Sequence, residues 1–281
     1  MSNNIDVSYI IGHKNRTELL EPNLQSLLLQ TNKNFEIIIT DNSDKDYKEK
    51  LKNIVSTYRH FGLSIKVFFI EPKLCKFSHD GSMFGNKYNP ALQQNIAVKK
   101  SIGKVITLTS PEVINSCTNI ENITNFFKNV EKKFLFGWIN ELALENIQEI
   151  IKNNYNNEHM KKYSELFPNL DGASCKPHAY RPCNYFLGSM LRKDYINIGG
   201  IDEEFMAAIA YEDDEFAQRC INNNFEILLN ENIVGLHLSH SRSYQQAGRN
   251  INPYLADQKR MNKVANIGHD WGSNNCIIEE F

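Results

Sequence analysis

Apolar residues in the first part of the chain gather in short solid runs. Between the runs they fall at helical spacing. Val7-Ser8-Tyr9-Ile10-Ile11 is a run of strand length closed by Gly12, and the stretch after it sets Leu20, Leu24, Leu27 and Leu28 on one side of a helix over residues 19–30. The alternation then repeats. Residues 35–40 predict a second strand, which stops at Asp41-Asn42-Ser43-Asp44, a cluster of turn and cap formers. A charged helix over residues 47–59, a strand over 65–70, a helix over 90–100 and a strand over 104–108 follow. Strand and helix in this order imply a parallel sheet covered on both faces. Such sheets bind ligands beyond the carboxyl ends of their strands. Gly12-His13-Lys14-Asn15-Arg16, Asp41-Asn42-Ser43-Asp44 and Thr109-Ser110-Pro111-Glu112 are therefore expected to converge on one rim.

The pattern loosens afterwards. Residues 119–132 have helical spacing, 133–138 read as a strand, and 140–167 form a long polar helical stretch broken near Asn153-Asn154. Pro168, Gly172, Pro177 and Pro182 mark residues 168–184 as a loop. A strand over 186–191 runs toward Gly199-Gly200, and two short strands are expected at 225–229 and 232–236. No repeat or linker divides the chain, so one domain with two lobes is expected, followed by a polar tail from residue 241 that is mobile or wraps the body.

Composition narrows the classes. The chain has 281 residues, 41% of them apolar and 23% charged, with a formal net charge of -2. Without a basic stripe, non-specific nucleic-acid binding has no electrostatic support. The apolar runs are far shorter than the roughly 20 residues of a membrane helix, and the first residues do not have the pattern of a secretory signal. Cys75, Cys117, Cys175, Cys183, Cys220 and Cys276 are scattered without a Cys-x-x-Cys pair, so free thiols are expected.

Candidate chemistry concentrates late in the chain. Tyr211-Glu212-Asp213-Asp214-Glu215-Phe216-Ala217-Gln218-Arg219 follows shortly after Gly199-Gly200-Ile201-Asp202-Glu203, and His237 and His240 come next behind a short apolar run. Carboxylates and imidazoles deprotonate hydroxyls or hold divalent cations. Acids at a helix start also gain from the helix dipole without doing any chemistry, and a histidine in a short strand is often an ordinary core residue.

Together these pieces resemble the GT-A class of nucleotide-sugar glycosyltransferases, and within it glycosyltransferase family 2. The resemblance rests on His13-Lys14-Asn15-Arg16 after the first strand, Asp41-Asn42-Ser43-Asp44 after the second, and Asn95 with Ala97 and Gly103 before the fourth. Gly199-Gly200-Ile201-Asp202-Glu203 with Glu212-Asp213-Asp214 is similar to a C-terminal motif shared with galactosyltransferase-type enzymes. The resemblance implies an α/β GT-A fold, a Rossmann-like mixed sheet flanked by helices, in a single domain over residues 1–240. A nucleotide-sugar-binding lobe (1–112) and an acceptor and catalytic lobe (113–240) would precede the tail (241–281).

It also implies an inverting transfer of a sugar from a UDP-sugar to a hydroxyl of a glycan or glycoconjugate, as in surface polysaccharide synthesis. Asp41 would accept a hydrogen bond from uracil or serve as a cap. Gly12, His13, Arg16 and Ser110 would line the nucleotide, with His13 or Arg16 touching the diphosphate or forming a solvated helix start. Asn95 would contact the nucleoside or cap the next turn. Asp213 would be the catalytic base, with Glu212 as acceptor contact or alternative base, while Asp214 and Glu215 cap the helix or pair with Arg219. Gly199 and Gly200 would admit the donor sugar or make a tight turn, and Trp138 and Tyr211 would stack on a sugar or lie in the core.

One departure stands out. The family's Asp-x-Asp metal motif aligns with Ser110-Pro111-Glu112 here. Glu112 can still offer a carboxylate to Mn2+ or Mg2+, whereas Ser110 offers a neutral hydroxyl. The resemblance puts His237 and His240 where related enzymes have a metal-ligating or diphosphate-contacting histidine, so the expected metal set is Glu112 with His237 and His240, and His237 is the preferred histidine. The implied partners are a UDP-sugar and a glycan or lipid-linked acceptor. The implied location is the cytoplasm, with peripheral contact at the inner face of the membrane. Donor and acceptor specificity is expected to lie in residues 71–89 and 168–184. The competing reading is a catalytically silent sugar-nucleotide or glycan-binding module on the same fold. A nucleotidyltransferase would want a glycine-rich phosphate loop after the first strand, where only Gly12 occurs.

Overall fold

The computed structural model describes residues 5–70, 90–143, 146–166, 186–207, 211–240, 252–268, 270–272 and 278–281. The expected specificity segments, 71–89 and 168–184, and Cys75, Cys175, Cys183 and Cys276 lie outside the described residues.

The strand–helix alternation is realised. β1 (Val7–His13), α1 (Thr17–Leu28), β2 (Phe35–Asp41), α2 (Lys45–His60), β3 (Ile65–Ile70), α3 (Pro90–Lys100) and β4 (Val105–Thr109) follow in order. β1 pairs in parallel with β2 and β4, and β2 in parallel with β3. These strands are buried on both faces, which explains why they read as solid apolar runs. Successive side chains of β1 point to opposite faces. Tyr9 and Ile11 pack with Leu20 and Leu24 of α1 and Leu51 and Val55 of α2. Ile10 packs on the other face with Ala91 and Ala97 of α3.

The second half completes one mixed nine-stranded sheet, in the order β5-β8-β6-β7-β4-β1-β2-β3-β9. Its elements are β5 (Val113–Asn115), α4 (Asn119–Phe126), β6 (Lys133–Leu142), α5 (Ile147–Lys152), α6 (Asn157–Leu166), β7 (Phe186–Leu191), α7 (Arg192–Asn197), α8 (Glu212–Asn222), β8 (Glu226–Leu238), α9 (Asn252–Lys259) and β9 (Ile278–Glu280). Several expectations are corrected. The two short strands at 225–229 and 232–236 are one strand, β8. It runs parallel to β6 with a bulge, because Gly137 pairs with Asn230 while Trp138 pairs with Val234. The polar stretch from Asn140 begins as the end of β6, and left-handed Asn154 and Tyr155 (φ 51° and 53°) separate α5 from α6. The helix expected to reach residue 132 stops at Phe126.

The tail is not merely polar overhang. β9 pairs antiparallel with β3. Beyond it, the Phe281 N–H donates to the Val67 carbonyl at 2.9 Å, and Arg59 donates to the Phe281 carbonyl at 2.6 Å. The C-terminal residues thus cover an edge whose backbone groups would otherwise be open to pairing with another chain. Among the described residues, no helix is long and apolar enough to cross a membrane.

Candidate functional site

The carboxyl ends of β1, β2 and β4 are joined by side chains. The β1–β2 register sets His13 opposite Asp41, and His13 Nδ1 lies 2.6 Å from Asp41 Oδ1. The Arg16 N–H donates to His13 Nε2 at 3.3 Å. With Nε2 accepting, Nδ1 carries the proton and donates to Asp41. Ser43 Oγ donates to the same Oδ1 at 2.5 Å. Asn15, in a left-handed conformation (φ 52°), receives Asp44 N–H on its Oδ1 at 2.9 Å and donates Nδ2 to the Asp44 carboxylate at 2.8 Å. Its own N–H donates to Ser43 Oγ at 2.7 Å. The first two loops therefore form one clamped unit, with His13 acting inside it rather than as a solvated helix start.

The third loop joins through Glu112. Arg16 donates to Glu112 Oε1 at 2.7 Å. Glu112 directly precedes β5, which pairs antiparallel with β8 so that Val113 faces His237. The Leu238 N–H donates to the Glu112 carbonyl at 2.9 Å. This short ladder carries Glu112 to the histidines, whose Nε2 atoms lie 3.6 Å (His237) and 3.3 Å (His240) from Oε1. Burial by itself would raise the Glu112 pKa; hydrogen bonds from His237 and His240 and the charge of Arg16 outweigh it and hold the carboxyl well below its ordinary value. The ligand atoms of Glu112, His237 and His240 all lie within 4.8 Å of one another, a carboxylate–imidazole set that suits Mn2+ or a similar divalent ion.

The rim also holds a concentration of unanswered acceptors. Asp41 Oδ2, Gln93 Oε1, Gln94 Oε1, Ser110 Oγ and Glu112 Oε2 are buried without a hydrogen-bond partner. Each such atom costs about 1–3 kcal/mol unless something donates to it. Gln93 and Gln94 stand near the start of α3 and were not expected as site residues. A Cβ on Gly12 would lie 3.1 Å from Gln93 Oε1, so Gly12 gives these side chains room. The sequence carried no signal for them: it is the burial of residues 91–98, seen only in the structure, that gives two adjacent glutamines a polar role here.

Other candidates serve the frame. Asn95 donates Nδ2 to the Ile201 carbonyl and Glu203 Oε1, both at 2.8 Å, and accepts on Oδ1 from Tyr195 Oη (2.6 Å) and Ile201 N–H (2.9 Å). Its hydrogen-bonding capacity is used within the protein, and a nucleoside contact would have to displace one of these bonds. Gly199 and Gly200 have φ of 86° and 68°. Added Cβ atoms would lie 2.3 Å from the Ala265 carbonyl oxygen and 2.4 Å from Asn95 Oδ1, so the close approach at both is to the chain itself and the turn is structural. Arg219 is 1% exposed; it pairs with Glu215 through two bonds of 2.8 and 2.7 Å and donates to the Ile198 and Gly200 carbonyls at 2.6 and 2.7 Å. Asp214 N–H donates to Asp213 Oδ1 at 2.9 Å. Glu212 and Asp213 lie in the first turn of α8, half-buried. Tyr211 before them is left-handed at φ 74°, an unusual conformation for a bulky residue. Trp138 on β6 packs against the cluster containing Leu142, Tyr155 and Val234.

No family model matches the chain, and no curated protein matches it in sequence. Solved structures do match it in fold. TarS residues 1–349 from S. aureus, in complex with UDP-GlcNAc, superposes with a TM-score of 0.58 at 14% identity over 87% of this chain and 61% of that one. GalNAc-T7 with UDP, GalNAc and Mn2+ gives 0.60 at 13% identity over 87% and 45%. The mannosyltransferase PcManGT from Pyrobaculum calidifontis, with GDP-Man and Mn2+, gives 0.54 at 12% identity over 92% and 70%. The chain spans 38% of the length of S. aureus TarS. The fold is GT-A: a large mixed sheet with helices on both faces.

Proposed function

We propose that the chain is a metal-dependent glycosyltransferase that moves a sugar from a UDP-sugar to an acceptor hydroxyl with inversion. The observation that carries this reading is the group of buried, unanswered oxygens at the strand-end rim beside the Glu112–His237–His240 cluster. That is a set of unpartnered polar atoms suited to a nucleotide, next to a set of cation ligands. Fold neighbours solved in complex with UDP, UDP-GlcNAc, GDP-Man or Mn2+ support the same reading.

Each residue has a physical task. Asp41 spends Oδ1 on His13 and Ser43 and keeps Oδ2 for a donor. The imide N–H of uracil would fill that position. Arg16 is about one-third exposed at the rim and can turn its guanidinium to a diphosphate oxygen. Glu112, His237 and His240 would hold the divalent cation, which when bound neutralises charge developing on the leaving diphosphate. Asp213 is assigned as the base: the acceptor oxygen attacks the anomeric carbon, the bond from that carbon to the diphosphate oxygen breaks, and the hydroxyl proton passes to the carboxylate. Glu212 would orient the acceptor.

A thermal-shift panel of UDP, GDP and CMP with and without Mn2+ tests the donor half, because a ligand that binds only the native state raises its melting temperature by mass action. UDP is expected to give the largest shift, and only with the metal present. Hydrolysis of UDP-sugars, lost in Asp213→Asn, tests the catalytic half. Absence of any nucleotide shift would overturn the reading. A shift without turnover on any UDP-sugar or acceptor would favour the silent binding module.

A further inference from the structure

We propose that residues 254–267, with Ile221 beside them, form a docking surface for an anionic lipid bilayer. Eight large apolar side chains are exposed among the described residues, and four of them, Tyr254 (70%), Met261 (82%), Val264 (39%) and Ile267 (76%), fall in this one stretch. Single exposed apolar residues need no explanation, but a concentration of them marks a contact site.

Their exposure does not come from a loose segment. Asn222 Nδ2 donates to the carbonyls of Arg260 (2.9 Å) and Asn262 (2.8 Å), holding the backbone on both sides of Met261. Asn223 Nδ2 donates to the Lys263 carbonyl at 2.7 Å. Between Val264 and Ile267, Ala265 and Asn266 are buried. The Ala265 N–H donates to the Ile198 carbonyl at 3.0 Å, and Asn266 Nδ2 donates to the Gly199 and Ile201 carbonyls at 2.8 Å. A segment anchored through six carbonyls and a buried pair presents its apolar side chains outward as a fixed array.

Charge selects the occupant. Arg260 and Lys263 alternate with the apolar positions, are exposed, and make no ion pair among the described residues. Lys259, by contrast, is tied inward to Asp202 and Glu204 at 2.5 and 2.9 Å. The exposed acids in and just after this stretch are Asp257, on α9, and Asp270, which lies 3.7 Å from Lys99 Nζ. Bases interleaved with exposed apolar side chains fit an anionic headgroup layer above acyl chains. This surface is independent of the nucleotide rim, and its test requires no catalysis.

The full chain should be sedimented with vesicles of phosphatidylcholine alone and of phosphatidylcholine with about a third phosphatidylglycerol. Binding is expected only to the anionic vesicles and should weaken with salt. Each base is worth roughly fivefold in partition at such a surface, so Arg260→Gln/Lys263→Gln should lower binding by about 25-fold. Met261→Ser/Ile267→Ser, which changes only exposed side chains, should lower it at least tenfold with an unchanged melting temperature. Equal binding to both vesicle types, undiminished binding by either double variant, or no binding at all overturns the proposal. So does a concentration-dependent dimer that Met261→Ser/Ile267→Ser abolishes, which would assign the patch to a second copy of the chain.

Discussion

At the residue scale, the site depends on which oxygen of each carboxylate is already used. Glu112 directs Oε1 at Arg16 and the two histidines, and its Oε2 is buried without a donor. Glu112→Gln keeps the shape and removes the charge. It should weaken Mn2+ binding, read by calorimetry with the metal alone, by more than the roughly 10–100-fold typical of losing an outer-shell partner. Asp41→Asn should lower UDP affinity at least about tenfold, the value of one hydrogen bond to a charged acceptor, with unchanged far-UV circular dichroism. An unaltered UDP affinity would remove Asp41 from the base pocket. The sequence identified both residue types at the ends of strands. It could not show that Asp41 has one oxygen taken and one free, because that depends on His13 and Ser43 folding onto it.

At the element scale, the acidic start of α8 divides into two functions that look alike in sequence. Glu215 turns inward and binds Arg219, whose remaining donors hold the Gly199-Gly200 turn through the Ile198 and Gly200 carbonyls. Removing one member strands a buried charge. Arg219→Met should therefore destabilise the protein by about 3–5 kcal/mol in urea unfolding, and Arg219→Met/Glu215→Met should recover most of that loss. If the double variant is no better than the single one, the pair is not the source of the cost. The glycine pair that resembles a donor-sugar platform belongs to this frame, packed under Ala265 and Asn95. Strand β5 shows the converse. Its three residues carry too little pattern to announce themselves, yet their pairing with β8 brings Glu112 to His237.

At the scale of the whole molecule, the C-terminal residues bind the body at several points. Glu203 is the meeting place: its carboxyl accepts from Asn95 Nδ2 and Gly272 N–H, both at 2.8 Å, and its own N–H donates to Asn266 Oδ1 at 3.0 Å. Burial raises the Glu203 pKa above its ordinary value, with the two donors opposing it. A raised pKa means that the folded state favours the protonated carboxyl. Its contribution is complete below the unfolded-state value of 4.5 and is lost as pH rises through the higher folded-state value. Glu203→Gln keeps the acceptor and cannot ionise. Its melting temperature relative to the parent should therefore be higher at pH 8 than at pH 4, a comparison that differential scanning calorimetry makes directly. An equal difference at both pH values would show that folding does not shift the Glu203 pKa.

What the sequence determined alone is the alternating order of strands and helices up to β4, and with it the convergence of three strand-end loops. Solid runs and helical spacing are local signals, and parallel strands present their carboxyl ends together whatever follows. The same signals faded after residue 112, where bulges, three-residue strands and left-handed breaks are set by neighbours distant in the chain. Tertiary structure alone decided that Asn95, Gly199 and Gly200 serve the frame, that Gln93 and Gln94 join the rim, and that the C-terminal residues seal a sheet edge. A hydrogen bond or a van der Waals contact between residues far apart in sequence leaves no periodicity to read; it exists only once the sheet has brought its partners together.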